Sequence, residues 1–186
     1  MIEVVVTIAI MGILMASAMP SVGDWMRNSK VRNTAEAIQN GLQQARMEAV
    51  RRNRAVSFYM VSTVDSSCAL SSTTGSWVAS VDSPVGKCNI SASTTVAPKL
   101  VAKASVTDGG GATVAATQLD GTTAATTVTF NGFGMVTNAD AIRRISVSSS
   151  GGGTTYARRV EITTGGVGRL CDPALTASSD ARSCIQ

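Results

Sequence analysis

From Val4 to Gly23 the chain carries no charge, and this run limits the possible folds more than any other feature. Roughly 20 apolar residues, at about 1.5 Å per residue, match the ~30 Å hydrocarbon core of a bilayer. The opening reads "MIEVVVTIAIMGILMASAMPSVGDW", with Glu3 at its head and no further charge before Asp24. Three readings compete. A secretory signal peptide would place Lys or Arg ahead of the apolar run and a small-residue cleavage site behind it. No basic residue precedes the run here, and "ASAMPSVGD" is a weak cleavage candidate. A plain membrane anchor explains the hydrophobicity but not Glu3, because an acid beside hydrocarbon is costly and is usually paired. An anchor that also packs against copies of itself or relatives accounts for both features. Ala9, Gly12, Ala16, Ser17 and Ala18 are small enough to let helices approach closely. Pro20 removes a backbone donor inside the run, which predicts a kink or local opening.

The next segment, "DWMRNSKVRNTAEAIQNGLQQARMEAVRRNRAV", has a different pattern. Val31, Ala35, Ile38, Leu42, Ala45 and Ala49 recur at steps of three and four, which is one face of a helix. Arg27, Lys30, Arg32, Glu36, Gln39, Gln43, Arg46, Glu48 and Arg51 fall on the other faces. One helix is therefore expected from near residue 1 to about residue 53, roughly 80 Å long if unbroken. Residues 1–23 would be its transmembrane and assembly part, and residues 24–54 its amphipathic continuation against a head of residues 55–186.

From about residue 55 the period changes. "AVSFYMV" and "GSWVASV" read as strands. "TVTFNGFGMVT" reads as strand, glycine turn and strand, and "RRISVSSS" with "ARRVEITT" as a hairpin flanking "GGGTTY". "DGGGAT" is a turn or loop, and residues 89–127 are the least defined. Antiparallel strands packed on the Val31–Ala49 stripe give an α+β fold, a long helix on an antiparallel sheet domain. Cys68, Cys88, Cys171 and Cys184 include no CxxC pair, so zinc and thioredoxin-like chemistry are not indicated. An even number of cysteines in a Ser/Thr/Gly-rich domain suggests two disulfides and an oxidising compartment. Of the three possible connectivities, proximity favours Cys68–Cys88 and Cys171–Cys184.

Histidine is absent, which removes Ser-His-Asp and Cys-His catalysis and His-ligated metals from this chain. The 12 acids are scattered without an acid/base motif. Gly109–Gly111 and Gly151–Gly153 do not fit a phosphate loop and read as turns. No enzyme, metal or cofactor is expected.

The opening "MIEVVVTIAIMGILMASAMPSVGDWMRN" resembles the N-terminus of type IV pilins and type II secretion pseudopilins. Their mature chains typically begin Phe-Thr-Leu-Ile-Glu, and Met1, Ile2 and Glu3 match the last three. The resemblance therefore implies two further mature residues and a leader ahead of Met1. "LQQARMEAVRRNRAVSFYMV", "FNGFG" and "RRVEITTGGVGRLC" look like the GspH/FimT-type minor pilins. The resemblance implies a structural subunit of a type IV pilus-like filament, made in the bacterial inner membrane and assembled by helix packing into a periplasmic or extracellular fibre. Its partners would be other pilin subunits and, before assembly, the inner membrane. It also implies that Glu3 pairs with the N-terminal amine of a neighbouring subunit. Two buried opposite charges offset their desolvation only when closely paired, so an unpaired Glu3 would penalise wrong registers. A type II secretion pseudopilin and a major pilin are alternatives.

DNA uptake is a further alternative. Arg143, Arg144, Arg158 and Arg159 lie on expected paired strands, and Arg169 and Arg182 in the tail. Neighbouring strand residues point to opposite faces, so each pair sends at least one guanidinium towards solvent. These residues could form a phosphate-binding patch or an ordinary solvated surface. Some FimT-type pilins bind DNA through an Arg-bearing tail, and here only "GVGRLC" resembles that motif.

Overall fold

The periodic stripe and the apolar run form one helix, α1, over Ile2–Arg52. The computed structural model describes residues 2–106, 112–149, 156–177 and 179–184, and within α1 the side chains of residues 15–21 lie outside that set. Helical backbone continues through Pro20, so the local opening expected there does not interrupt α1. Asn53 closes the helix in the left-handed conformation (φ 47°), with the Asn53 and Arg54 amides donating back to the Val50 and Ala49 carbonyls.

Eight strands follow: β1 Val56–Met60, β2 Trp77–Ser80, β3 Leu100–Ala104, β4 Ala112–Thr117, β5 Thr127–Phe130, β6 Arg144–Ser149, β7 Arg158–Ile162 and β8 Gly168–Cys171. They form two four-stranded sheets, ordered β3-β2-β1-β5 and β4-β6-β7-β8, with every pairing antiparallel. The α+β expectation holds, with two sheets in place of one. The strand expected after "NGFG" is reduced to a single Phe130–Val136 bridge. β8 was not anticipated; "GVGRLC" has two glycines and little strand signal. The glycine clusters 109–111 and 151–153 lie outside the described residues.

The stripe is the keel of the core. Val31, Ala35, Ile38, Ala45 and Ala49 are fully buried and Leu42 nearly so. They pack on Phe58, Met60, Trp77 and Phe130 of the first sheet and on Ile145, Val147, Val160 and Ile162 of the second. The Phe58 and Trp77 rings stack with centroids 5.4 Å apart. Gly41 makes this approach possible, because a Cβ there would lie 2.5 Å from the Trp77 ring.

β2 is buried along its whole length, which alternation alone would not give. Its outer face, at Val78, is covered by a second cluster with Val61, Cys68, Cys88 and Leu100. The Cys68–Cys88 disulfide fastens that flap and Cys171–Cys184 staples the C-terminal loop, the pairing that proximity favoured.

Candidate functional site

The N-terminal part of α1 makes no such core. Ile2, Ile8, Ile13 and Leu14 are 78%, 66%, 70% and 63% exposed, against 0% for Ile38 further along the same helix. Val4, Val5, Val6, Ile10 and Met11 are exposed as well, and Trp25 and Met26 extend the apolar surface towards the head. Glu3 lies in the first turn, exposed, where a carboxylate suits the positive end of the helix dipole. Among the described residues no helix is long and apolar enough to cross a membrane. Residues 2–14 amount to about 20 Å of helix, less than the ~30 Å hydrocarbon core. Side chains 15–21, in the middle of the apolar run, lie outside the described set.

The six arginines are divided. Arg159 and Arg158, adjacent on β7, point to opposite faces of the second sheet. On the outer face, Arg144, Glu161 and Arg169 stand in register across β6, β7 and β8. Arg159, on the same face, reaches Glu161 at 3.9 Å. Arg158 turns to the other side, where its Nη1 donates to Asp172 Oδ2 at 2.7 Å. There it lines a groove of about 480 Å³ with Trp25, Arg32, Glu36 and Tyr156. Arg143 lines a smaller pocket of about 190 Å³ with Arg144, Leu119 and Glu161. Arg169 donates to the Ser183 carbonyl. Arg182 pairs with Asp180 at 2.8 Å, and its hydrogen bonds hold that carboxyl down at about 2. Of the six, Arg182 alone is exposed and the other five are half-buried. The C-terminal loop thus engages three of the arginines that the sequence suggests for phosphate.

The end of α1 carries its own electrostatic knot. Glu48 accepts from Arg51 Nε at 2.7 Å and also from Arg52. These bonds, the Arg51 one foremost, pull its carboxyl to about 2 from an ordinary 4.5, against the opposing effect of partial burial. Glu161, Cys171 and Cys184 converge in one place, but the two sulfurs are joined to each other and offer no thiolate to a metal.

One surface escaped the sequence reading. Met47 and Val50 on α1, Phe133 and Met135 beside Gly134, and Val167 beside Gly166 are exposed and gathered at one end of the head. Part of the signal for it was present in "NGFG", read only as a turn.

The family model for Type II transport protein GspH matches residues 34–166. A crystal structure of the type IV minor pilin FimU from Pseudomonas aeruginosa (strain PAO1) matches at 18% identity and TM-score 0.49, covering 83% of this chain and 98% of that one. A second crystal form of FimU matches at 18% identity and TM-score 0.48, covering 80% and 98%. No curated protein sequence matches.

Proposed function

The chain belongs to the Type II transport protein GspH family, and from that premise we propose that it is a structural subunit of a type IV pilus-like filament, held in the inner membrane before assembly. The observation that carries this reading is the apolar surface of residues 2–14, exposed on every side. A helix that is hydrophobic all round belongs inside lipid or inside a bundle, and among the described residues no other part of this chain covers it. Glu3 supports the reading. A carboxylate at the head of such a segment is tolerated when a partner charge, such as a neighbouring subunit's amine, meets it on assembly. The activity proposed is assembly and not turnover.

The test compares Glu3→Ala with the native chain in membrane and sheared-fibre fractions. The variant should reach the membrane at native level, because the apolar run is untouched, and its head should fold, because residue 3 is remote from the Val31–Ala49 stripe. Its level in the fibre should fall, with Glu3→Asp in between. Equal incorporation of Glu3→Ala would remove the pairing role. The family description favours a second reading, a type II secretion pseudopilin. Deleting the gene would then abolish release of secreted enzymes while leaving surface pili in place.

A further inference from the structure

Arg143 and Arg144 stand side by side at the start of β6, and neither forms an ion pair among the described residues. Both are half-buried. Arg143 precedes the first residue of the strand, so the alternation that parts Arg158 from Arg159 does not part these two, and both line one pocket of about 190 Å³. Arg143 Nε is buried there without a hydrogen-bond acceptor. A guanidinium withdrawn from water with a donor unanswered costs free energy, and such a group in a folded chain calls for an explanation. The nearby acids do not supply one. Glu161 lies in the pocket wall, but it is the acid that Arg159 reaches at 3.9 Å. Asp120, in the adjoining loop, accepts from the Thr122 and Thr123 amides.

The other walls are apolar or already satisfied. Leu119 is 63% exposed and Ile162 is buried. The Thr163 hydroxyl is taken up by the Val167 backbone. A fork of N–H donors beside an aliphatic wall suits one kind of ligand. Planar guanidiniums match the two oxygens of a carboxylate, and an aliphatic chain attached to that carboxylate would cover Leu119. Glu161 in the wall disfavours a doubly charged phosphate. The volume lies below the about 300–1,000 Å³ of ordinary ligand sites, so the group that enters is small.

We propose that this pocket binds a carboxylate carried on a short aliphatic chain, gripped by Arg143 and Arg144 and packed on Leu119 and Ile162. A free branched-chain acid and a peptide whose last residue is aliphatic offer the same chemistry. None of the pocket's residues lies on α1, so the site stands or falls apart from the filament reading.

The experiment follows methyl resonances of the full chain in detergent, labelled at isoleucine and leucine. Titration with 3-methylbutanoate and with acetyl-Gly-Gly-Leu should shift Leu119 and Ile162 and leave Ile38 and Leu42, in the core, unmoved. Tighter binding of the peptide assigns the site to a peptide end, and equal or tighter binding of the acid assigns it to the free acid. The peptide amide, which lacks the charge, and inorganic phosphate, which lacks the chain, should each bind about tenfold more weakly or worse. Arg143→Met keeps an aliphatic stem and removes the unanswered charge. It should weaken binding about tenfold while raising the melting temperature of the head by about 2–4 °C. A methionine variant that melts below the native chain would show that Arg143 serves the fold and not a ligand. That result, the absence of shifts at Leu119 and Ile162, or equal binding of acid and amide would overturn the site.

Discussion

Helix α1 is two different objects joined end to end. Between Val31 and Ala49 its apolar residues keep to one face and are buried by two sheets. Between Ile2 and Leu14 they occupy every face and are exposed, covered by none of the other described residues. The buried half therefore specifies the fold, and the exposed half is the part to which the proposed filament reading assigns association. The comparison shows that the arrangement of apolar residues, and not their number, distinguishes a core from an interface.

The sharpest way to break this comparison is to make the same cut in both halves. Ile38→Ala should cost about 2–5 kcal/mol in urea denaturation, because it leaves a cavity among side chains from both sheets. Ile8→Ala should change head stability by less than about 0.5 kcal/mol. Equal losses would mean that the N-terminal half packs on its own head. Replacing Cys171 and Cys184 together by serine should cost about 3 kcal/mol, from opening a loop of 14 residues (171–184). The loop "CDPALTASSDARSC" has little apolar content to replace the staple. Limited proteolysis should then cleave within it, and resistance equal to that of the native chain would count against the staple's role.

Gly41→Ala tests how closely the core half is fitted. Alanine is the better helix former by about 1 kcal/mol, yet its methyl would press on the Trp77 ring. A net loss of about 1–3 kcal/mol is expected, whereas Gly12→Ala, where a Cβ would meet nothing within 4 Å, should leave the head unchanged. The smallest effect is at Glu48. Its folded-state pKa, about 2, lies below the ordinary 4.5, so its contribution is present above pH 4.5 and is lost as pH falls towards 2. Two helical ion pairs contribute about 1 kcal/mol. Glu48→Gln should remove that part of the acid dependence, and an unchanged pH–stability curve would show that the pairs contribute nothing.

The stripe was legible because all six positions follow a single helical period, and the reading placed each of them in the core. The hairpin of β6 and β7 and both disulfides were legible because each joins neighbours in sequence. What sequence did not show depends on distant residues. β2 has no alternation because the Cys68–Cys88 flap covers its outer face. β8 is drawn into the sheet by pairing with β7 and by Gln39, whose Nε2 donates to the Gly168 carbonyl at 3.0 Å. The exposed apolar surface beside Arg46 needs two turns far along the chain, Arg46 and Gly134 being 88 positions apart. The glycines of "NGFG" marked the first of those turns without saying what it rests on, and the turn before β8 was not anticipated. The division of Arg158 from Arg159 follows from strand alternation, but the engagement of Arg158, Arg169 and Arg182 by the C-terminal loop does not.

The most direct test of the central claim is methionine oxidation in the sheared fibre. Met11 is 60% exposed in the single chain and Met60 is fully buried, so the two report on the two kinds of burial. Brief treatment with hydrogen peroxide should oxidise Met11 as slowly as Met60 when the chain is in the fibre, and both should react rapidly in denaturant. If Met11 in the fibre reacts at the denatured-chain rate while Met60 stays protected, the N-terminal helix is not the surface through which subunits join, and the account fails.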